Sequence, residues 1–152
     1  MSFLRFTLIL AAMTFLVGCQ TTTPPDFTMP ELQHPLKRLK RGVAYAIPGG
    51  VKGASENGRT FTSHYITLEG QKWDILSTLK QRAYAEVTIL GDRRPYVIEI
   101  RVPVQERKTS DPADTKFEDV RQSKKLAQVV AQKLRYYLEN DKRNLIDDFR
   151  PF

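Results

Sequence analysis

The chain has 152 residues, 24 of them basic and 17 acidic, and a single cysteine. This length supports one domain with a modest core. A lone cysteine excludes an intramolecular disulfide, so folding must rest on that core. The formal charge of +7 points to anionic company: phosphorylated glycolipid, acidic lipid head groups or an acidic protein surface.

The first element in chain order is not expected to belong to the fold. Met1, Ser2, Phe3, Leu4 and Arg5 form a short basic start, residues 6–17 are apolar, and Leu16, Val17, Gly18 and Cys19 follow. A basic start, an apolar stretch and a small residue before a cut are the parts of a secretory signal. Residues 6–17 are shorter than the roughly 20 residues needed to span a bilayer. The tetrad ending at Cys19 resembles the lipobox of bacterial lipoproteins. The resemblance implies cleavage after Gly18, a diacylglyceryl group on the Cys19 thiol and acylation of the new amino group. Gln20, where aspartate would retain such a protein in the inner membrane, implies the outer membrane, facing the periplasm. Export also removes nucleic acid from consideration as a partner. Removing residues 1–18 takes one basic residue, Arg5, and leaves 134 residues with 23 basic and 17 acidic, or +6.

Residues 19–41 read as the lipidated cysteine and a flexible tether. Pro24, Pro25, Pro30 and Pro35 interrupt any helix, and a coil of about 22 residues averages roughly 25 Å. The tether ends in Lys37, Arg38, Lys40 and Arg41, a run suited to phosphate head groups and equally compatible with a solvated stretch. Gly49, Gly50, Gly53 and Gly58 lack the spacing and the following lysine of a phosphate-binding loop, and read as a surface loop.

Residues 42–152 form the expected domain. Residues 60–68, β-branched and aromatic between glycines, predict a strand. Trp73, Leu76, Leu79 and Ala83 recur at helical spacing and predict a helix from residue 69 or 70. Residues 84–90 and 96–104 alternate as strands. Their buried faces coincide when Ile89 meets Ile98, Val87 meets Ile100 and Ala85 meets Val102, which sets Glu86 against Arg101 and leaves 92–95 as the loop. Pro103 predicts an edge or strand end. A long helix is expected from residue 114 or 115 to 139 or 140, with Val120, Ala127, Val130, Ala131, Leu134, Tyr137 and Leu138 inward. Leu145, Ile146 and Phe149 predict a last short helix. The order β-α-β-β-α defines an α+β domain: a small antiparallel sheet with a long C-terminal helix packed on one face.

Catalytic constellations are missing from this sequence. His34 and His64 are thirty residues apart, with no compatible ligands to make a metal site. Glu118 and Asp119, like Asp147 and Asp148, are neighbours that diverge by about 100° on a helix, and so are not a preset acid–base pair. Ser63 and Ser77 lack the surroundings of an activated nucleophile. No enzyme activity, cofactor or metal is therefore expected. Trp73 and one of Tyr136 and Tyr137 read as core, with Tyr136 the better surface candidate.

The sequence thus predicts a non-catalytic, lipid-anchored envelope protein that binds another envelope component. An exposed strand edge over residues 96–104 offers docking by strand addition. A second reading is an accessory role in moving or assembling an anionic glycolipid such as lipopolysaccharide. The coarse element order resembles that of the lipopolysaccharide-assembly lipoproteins that sit inside an outer-membrane barrel, a resemblance that carries no residue across. On this reading Lys37, Arg38, Lys40, Arg41, Arg93 and Arg94 would hold phosphates.

Overall fold

The computed structural model describes residues 24–109, 111 and 114–140. The signal segment with Gly18 and Cys19, and the helix expected over 145–149, lie outside the described residues. The elements run β1 Phe27–Leu32, α1 Leu36–Ala46, β2 Val51–Ala54, β3 Thr60–Ser63, β4 Gln81–Ala83, β5 Glu86–Leu90, β6 Tyr96–Arg101, β7 Pro103–Arg107, β8 Phe117–Gln122 and α2 Lys124–Asn140. The fold is α+β: antiparallel sheets with a long C-terminal helix. One sheet has the order β1-β6-β5-β3-β2 and the other β4-β7-β8.

A single long hairpin joins the two sheets, since β5 pairs with β6 and β4 pairs with β7. The hydrophobic argument fixes its register correctly at Ile89↔Ile98, Val87↔Ile100 and Glu86↔Arg101. Glu86 and Arg101 approach to 3.9 Å at the surface. The hairpin breaks at Tyr84–Ala85 and Val102, and the amides of Tyr84, Ala85 and Val102 and the Val102 carbonyl all find partners. The Tyr84 amide donates to the Pro103 carbonyl at 3.2 Å, and the Ser123 amide donates to the Val102 carbonyl at 2.9 Å. The Val102 amide donates to the Asp26 carboxylate at 2.7 Å, and the Ala85 amide to Ser63 Oγ at 2.8 Å. A buried break without these partners would leave costly unpaired groups.

Residues 96–104 are not an edge. Strand β6 lies between β1 and β5, and β7 between β4 and β8, so both ladders of each strand are occupied. Docking by strand addition at this segment is excluded. Pro103 is accommodated in a central strand because it sits at the first position of β7, where the ladder begins.

The expected tether is largely folded. Residues 27–32 form edge strand β1, and Pro30 falls in its irregularity between Met29 and Leu32, where a missing donor is tolerated. Pro35 precedes α1, where its fixed φ does no harm, and its carbonyl accepts from the amides of Arg38 and Leu39 at 3.0 Å. Leu39, Val43 and Ala46 are buried one or two turns apart. Pro35 marks the start of α1 and Pro30 an irregularity inside β1, not an absence of structure.

No helix forms over 69–83, although the apolar spacing is helical. Short polar side chains take the amides that a helix would use. Thr67 Oγ1 accepts from the amides of Glu69 and Gln71 at 3.3 and 3.4 Å. Asp74 and Ser77 do the same for Leu76 and Leu79. The C-terminal helix begins at Lys124, nine or ten residues later than expected, because 117–122 pair with β7. Ser123 caps it through Oγ to the Leu126 amide at 3.4 Å. Its inner face is as read: Ala127, Val130, Ala131, Leu134 and Leu138 are buried, while Val120, now on β8, is 52% exposed.

One hydrophobic core lies between the helices and the sheet. Ile89, Ile98, Ile100, Val87, Leu39, Val43, Leu134 and Val130 are fully or almost fully buried, each contributing about 1.5–3 kcal/mol of transfer energy. The helices touch closely at Gly42, where an added Cβ would stand 2.8 Å from Leu134 Cδ1 and 3.0 Å from Tyr137 Cδ1.

Candidate basic surface

The six basic residues marked by the sequence do not act as one patch. Arg38 is buried, at 8% exposure, and donates through Nη2 to the Leu138 carbonyl at 2.7 Å. Lys40 reaches sideways, its ammonium donating to the Asn57 carbonyl at 3.1 Å. Arg94 donates to the Gln33 carbonyl at 3.4 Å, and Arg59 donates to that of Gly91. These cations fasten the β2–β3 and β5–β6 loops and the start of α1 at one end of the five-stranded sheet. Glu56 and Asp92 lie in the same loops. Lys37, Arg41 and Arg93 are exposed. Three of the six, Arg38, Lys40 and Arg94, are therefore loop and helix ties.

A stronger asymmetry lies in the two helices. Helix α1 carries Lys37, Arg38, Lys40 and Arg41 and no acid; α2 carries Lys124, Lys125, Lys133 and Arg135 against Glu139. Together they hold 8 basic residues and 1 acidic residue, a balance of +7. The whole chain has 24 and 17, so 16 of each remain elsewhere and cancel. The helical layer carries the full net charge of the protein.

The same layer exposes aromatic and apolar surface. Tyr45 and Tyr136 are 59% and 62% exposed, and Tyr45 leans on Tyr137 with ring centroids 5.2 Å apart. Tyr45, Gln132, Lys133 and Tyr136 line a recess of about 570 Å³. A second recess of about 570 Å³ runs from Leu68, Leu126, Val129 and Val130 to the basic side chains of Arg121, Lys125 and Lys133, with Glu69 at its side. Lys133 borders both. An apolar floor beneath lysine and arginine heads fits an amphipathic anion, because their stems pack on carbon while the charged tips face water. Sequence reasoning assigned the inward residues of this helix and did not join Lys125 and Lys133 to Tyr45.

Aromatic rings and cations also meet around the three-stranded sheet. The Arg82 guanidinium carbon lies 3.6 Å from the Tyr65 ring centroid and 3.8 Å from that of Phe117. Its Nε donates to Gln105 Oε1 at 2.9 Å, and Gln105 in turn donates to Asp119 at 2.8 Å. Trp73 meets Phe117 edge-on at 6.0 Å, and Tyr65 meets Tyr84 likewise at 6.1 Å. Arg82 is thus covered on both faces by rings and bound at its edge. It is a strut across strands β4, β7 and β8 rather than an open platform. Burial, followed by the charges of Asp119 and Glu86, pushes the Tyr84 phenol above its ordinary range.

Among the described residues, no group of three or more histidine, cysteine, aspartate or glutamate side chains is placed to hold a metal ion. No helix among them is long and apolar enough to cross a membrane. Comparison with protein families, curated proteins and solved structures finds no match for this chain.

Proposed function

We propose that this chain is a non-catalytic, lipid-anchored protein of the bacterial cell envelope that binds an anionic envelope component through its helical layer. The observation that carries the reading is the location of the net charge: α1 and α2 hold 8 basic residues, Arg38 among them buried, against 1 acidic residue, while the rest of the chain after residue 18 holds 15 basic and 16 acidic. A basic surface on an exported domain favours acidic partners and raises their encounter rate. The lipid on Cys19 supplies membrane attachment, and the domain supplies recognition. An accessory role with an anionic glycolipid is the second reading. The recess with an apolar floor and the rim of Arg121, Lys125 and Lys133 favours it, since such a ligand has both acyl chains and phosphates.

The test is extraction of the acylated protein in mild detergent, comparing the natural chain with the double variant Lys125→Glu, Lys133→Glu. Both side chains are exposed, so the fold should survive. A stoichiometric acidic protein retained by the natural chain and lost from the variant supports the adapter reading. Glycolipid retained without protein, and released by salt, supports the second reading. Equal retention by both chains removes the helical layer from consideration.

A further inference from the structure

Residues 74–79 hold their apolar side chains outward on a braced loop. The Ser77 amide donates to the Asp74 carbonyl at 2.9 Å, closing a β-turn whose corners are Ile75 and Leu76. The Leu76 amide donates to Asp74 Oδ1 at 3.0 Å, and the Leu79 amide to Ser77 Oγ at 3.2 Å. Ile75 and Leu76 are each 85% exposed and Leu79 is 50% exposed. Turn corners ordinarily carry glycine, proline, asparagine, aspartate or serine, so two large aliphatic residues there are out of place in water. The loop is held from below. Arg107, itself only 6% exposed, donates to the Ser77 carbonyl at 3.4 Å, and its amide donates to the Lys80 carbonyl at 2.9 Å.

Two observations choose the occupant of this tip. The first is the route of the chain to Cys19. Pro24 follows Cys19 by five positions, at most roughly 18 Å of extended chain. Pro24 and Asp26 sit against the end of β8: the Gln122 amide, oriented to satisfy both its atoms, donates to the Pro24 carbonyl at 3.3 Å and to the Asp26 carboxylate at 2.7 Å. Gln122 pairs with Pro103 at one end of β7, while the apolar loop is braced on Arg107 at the other, four residues or roughly 13 Å away. The chain between Cys19 and Pro24 is long enough to span that separation. The second observation is charge. Lys72 beside the tip and Lys124 at the start of α2 are exposed, which suits anionic head groups next to an inserted apolar tip.

We infer that Ile75, Leu76 and Leu79 enter the apolar margin of the bilayer that holds the acylated Cys19, with anionic phospholipid head groups against Lys72 and Lys124. The inference rests on the lipid-anchor reading and adds a second, non-covalent contact to it. It sets the three-stranded sheet towards the membrane. Arg93 and Arg94 lie at the opposite end of the hairpin, and Glu56 lies in the β2–β3 loop that Arg59 ties to that end.

The acylated full-length protein tests this. Its one natural thiol is blocked by acylation, so Leu76→Cys and Glu56→Cys each give a single site for an environment-sensitive fluorophore. Both positions are exposed, and neither substitution disturbs the core. Each protein is placed in vesicles of phosphatidylethanolamine and phosphatidylglycerol with brominated acyl chains. The expected result is a blue-shifted, quenched label at 76 and an unchanged one at 56. A label at 76 that stays in water, on protein whose N-terminal peptide carries acyl groups by mass spectrometry, overturns the inference. So does a label shielded only in native membranes, which assigns the tip to a protein partner. If mass spectrometry finds no acyl groups, the anchor reading fails separately, and the same chain is sedimented with the vesicles. Capture lost on Ile75→Ser with Leu76→Ser then supports insertion; capture unaffected by them, or absent from the natural chain, overturns it.

Discussion

The Arg38 guanidinium donates to the main-chain carbonyl of Leu138 at 2.7 Å, tying the first turn of α1 to the last turns of α2. The final carbonyls of a helix lack intrahelical donors, and their partial negative charge favours a cation. A residue in a run of surface-like basic side chains thus holds the helical pair together.

Arg38→Ala should lower stability by about 1.5–3 kcal/mol, the range for a hydrogen bond involving a charged group. Lys37→Ala, one position away and exposed, should change it by less than about 0.5 kcal/mol. Urea unfolding followed by circular dichroism distinguishes the two. Equal midpoints would mean that the tie contributes nothing and that Arg38 is held in place by its neighbours.

Gly42 makes the opposite kind of contact, an absence that lets two helices approach. Alanine in its place gains about 1 kcal/mol in helix propensity. Its Cβ would stand 2.8 Å from Leu134 Cδ1 and 3.0 Å from Tyr137 Cδ1. Leu134 is fully buried and has little room to turn away, and overpacking of this kind costs about 1–3 kcal/mol. Gly42→Ala should therefore lower the melting temperature despite improving the helix. A rise would show that the helices slide apart without loss.

The parts of this fold that were legible in the sequence are those where one periodic pattern met one buried face. Val87, Ile89, Ile98 and Ile100 alternate so cleanly that only one register buries them all. Ala127, Val130, Ala131, Leu134 and Leu138 follow the helical period against the same core. Trp73, Leu76 and Leu79 have that period too, but Thr67, Asp74 and Ser77 between them take the backbone amides, and spacing alone does not register such competition. Pro30 and Pro35 were misleading in the reverse direction, since an edge strand and the position before a helix both tolerate proline. The basic surface was hidden for a different reason. Tyr45 and Lys133 are distant in sequence and meet only because α1, whose residues up to Arg41 were expected to be tether, packs beside α2.

Tyr84 allows a test of the three-stranded sheet through pH. Burial raises its phenol above the ordinary range, and Asp119, Glu86 and Tyr65 push in the same direction. The folded state therefore keeps this proton at pH values where the unfolded chain loses it. The stability it contributes is complete below the unfolded value near about 10 and is lost as pH rises through the higher folded value. Tyr84→Phe has no such proton. Across that alkaline window the urea midpoint of the natural chain should fall more steeply than that of the variant. An ultraviolet titration of the variant should lose one phenol that ionises above the ordinary range, of the six tyrosines in the chain. Parallel declines in the two midpoints would mean that Tyr84 ionises alike in folded and unfolded chains, and that water reaches the phenol between Tyr65 and Asp119.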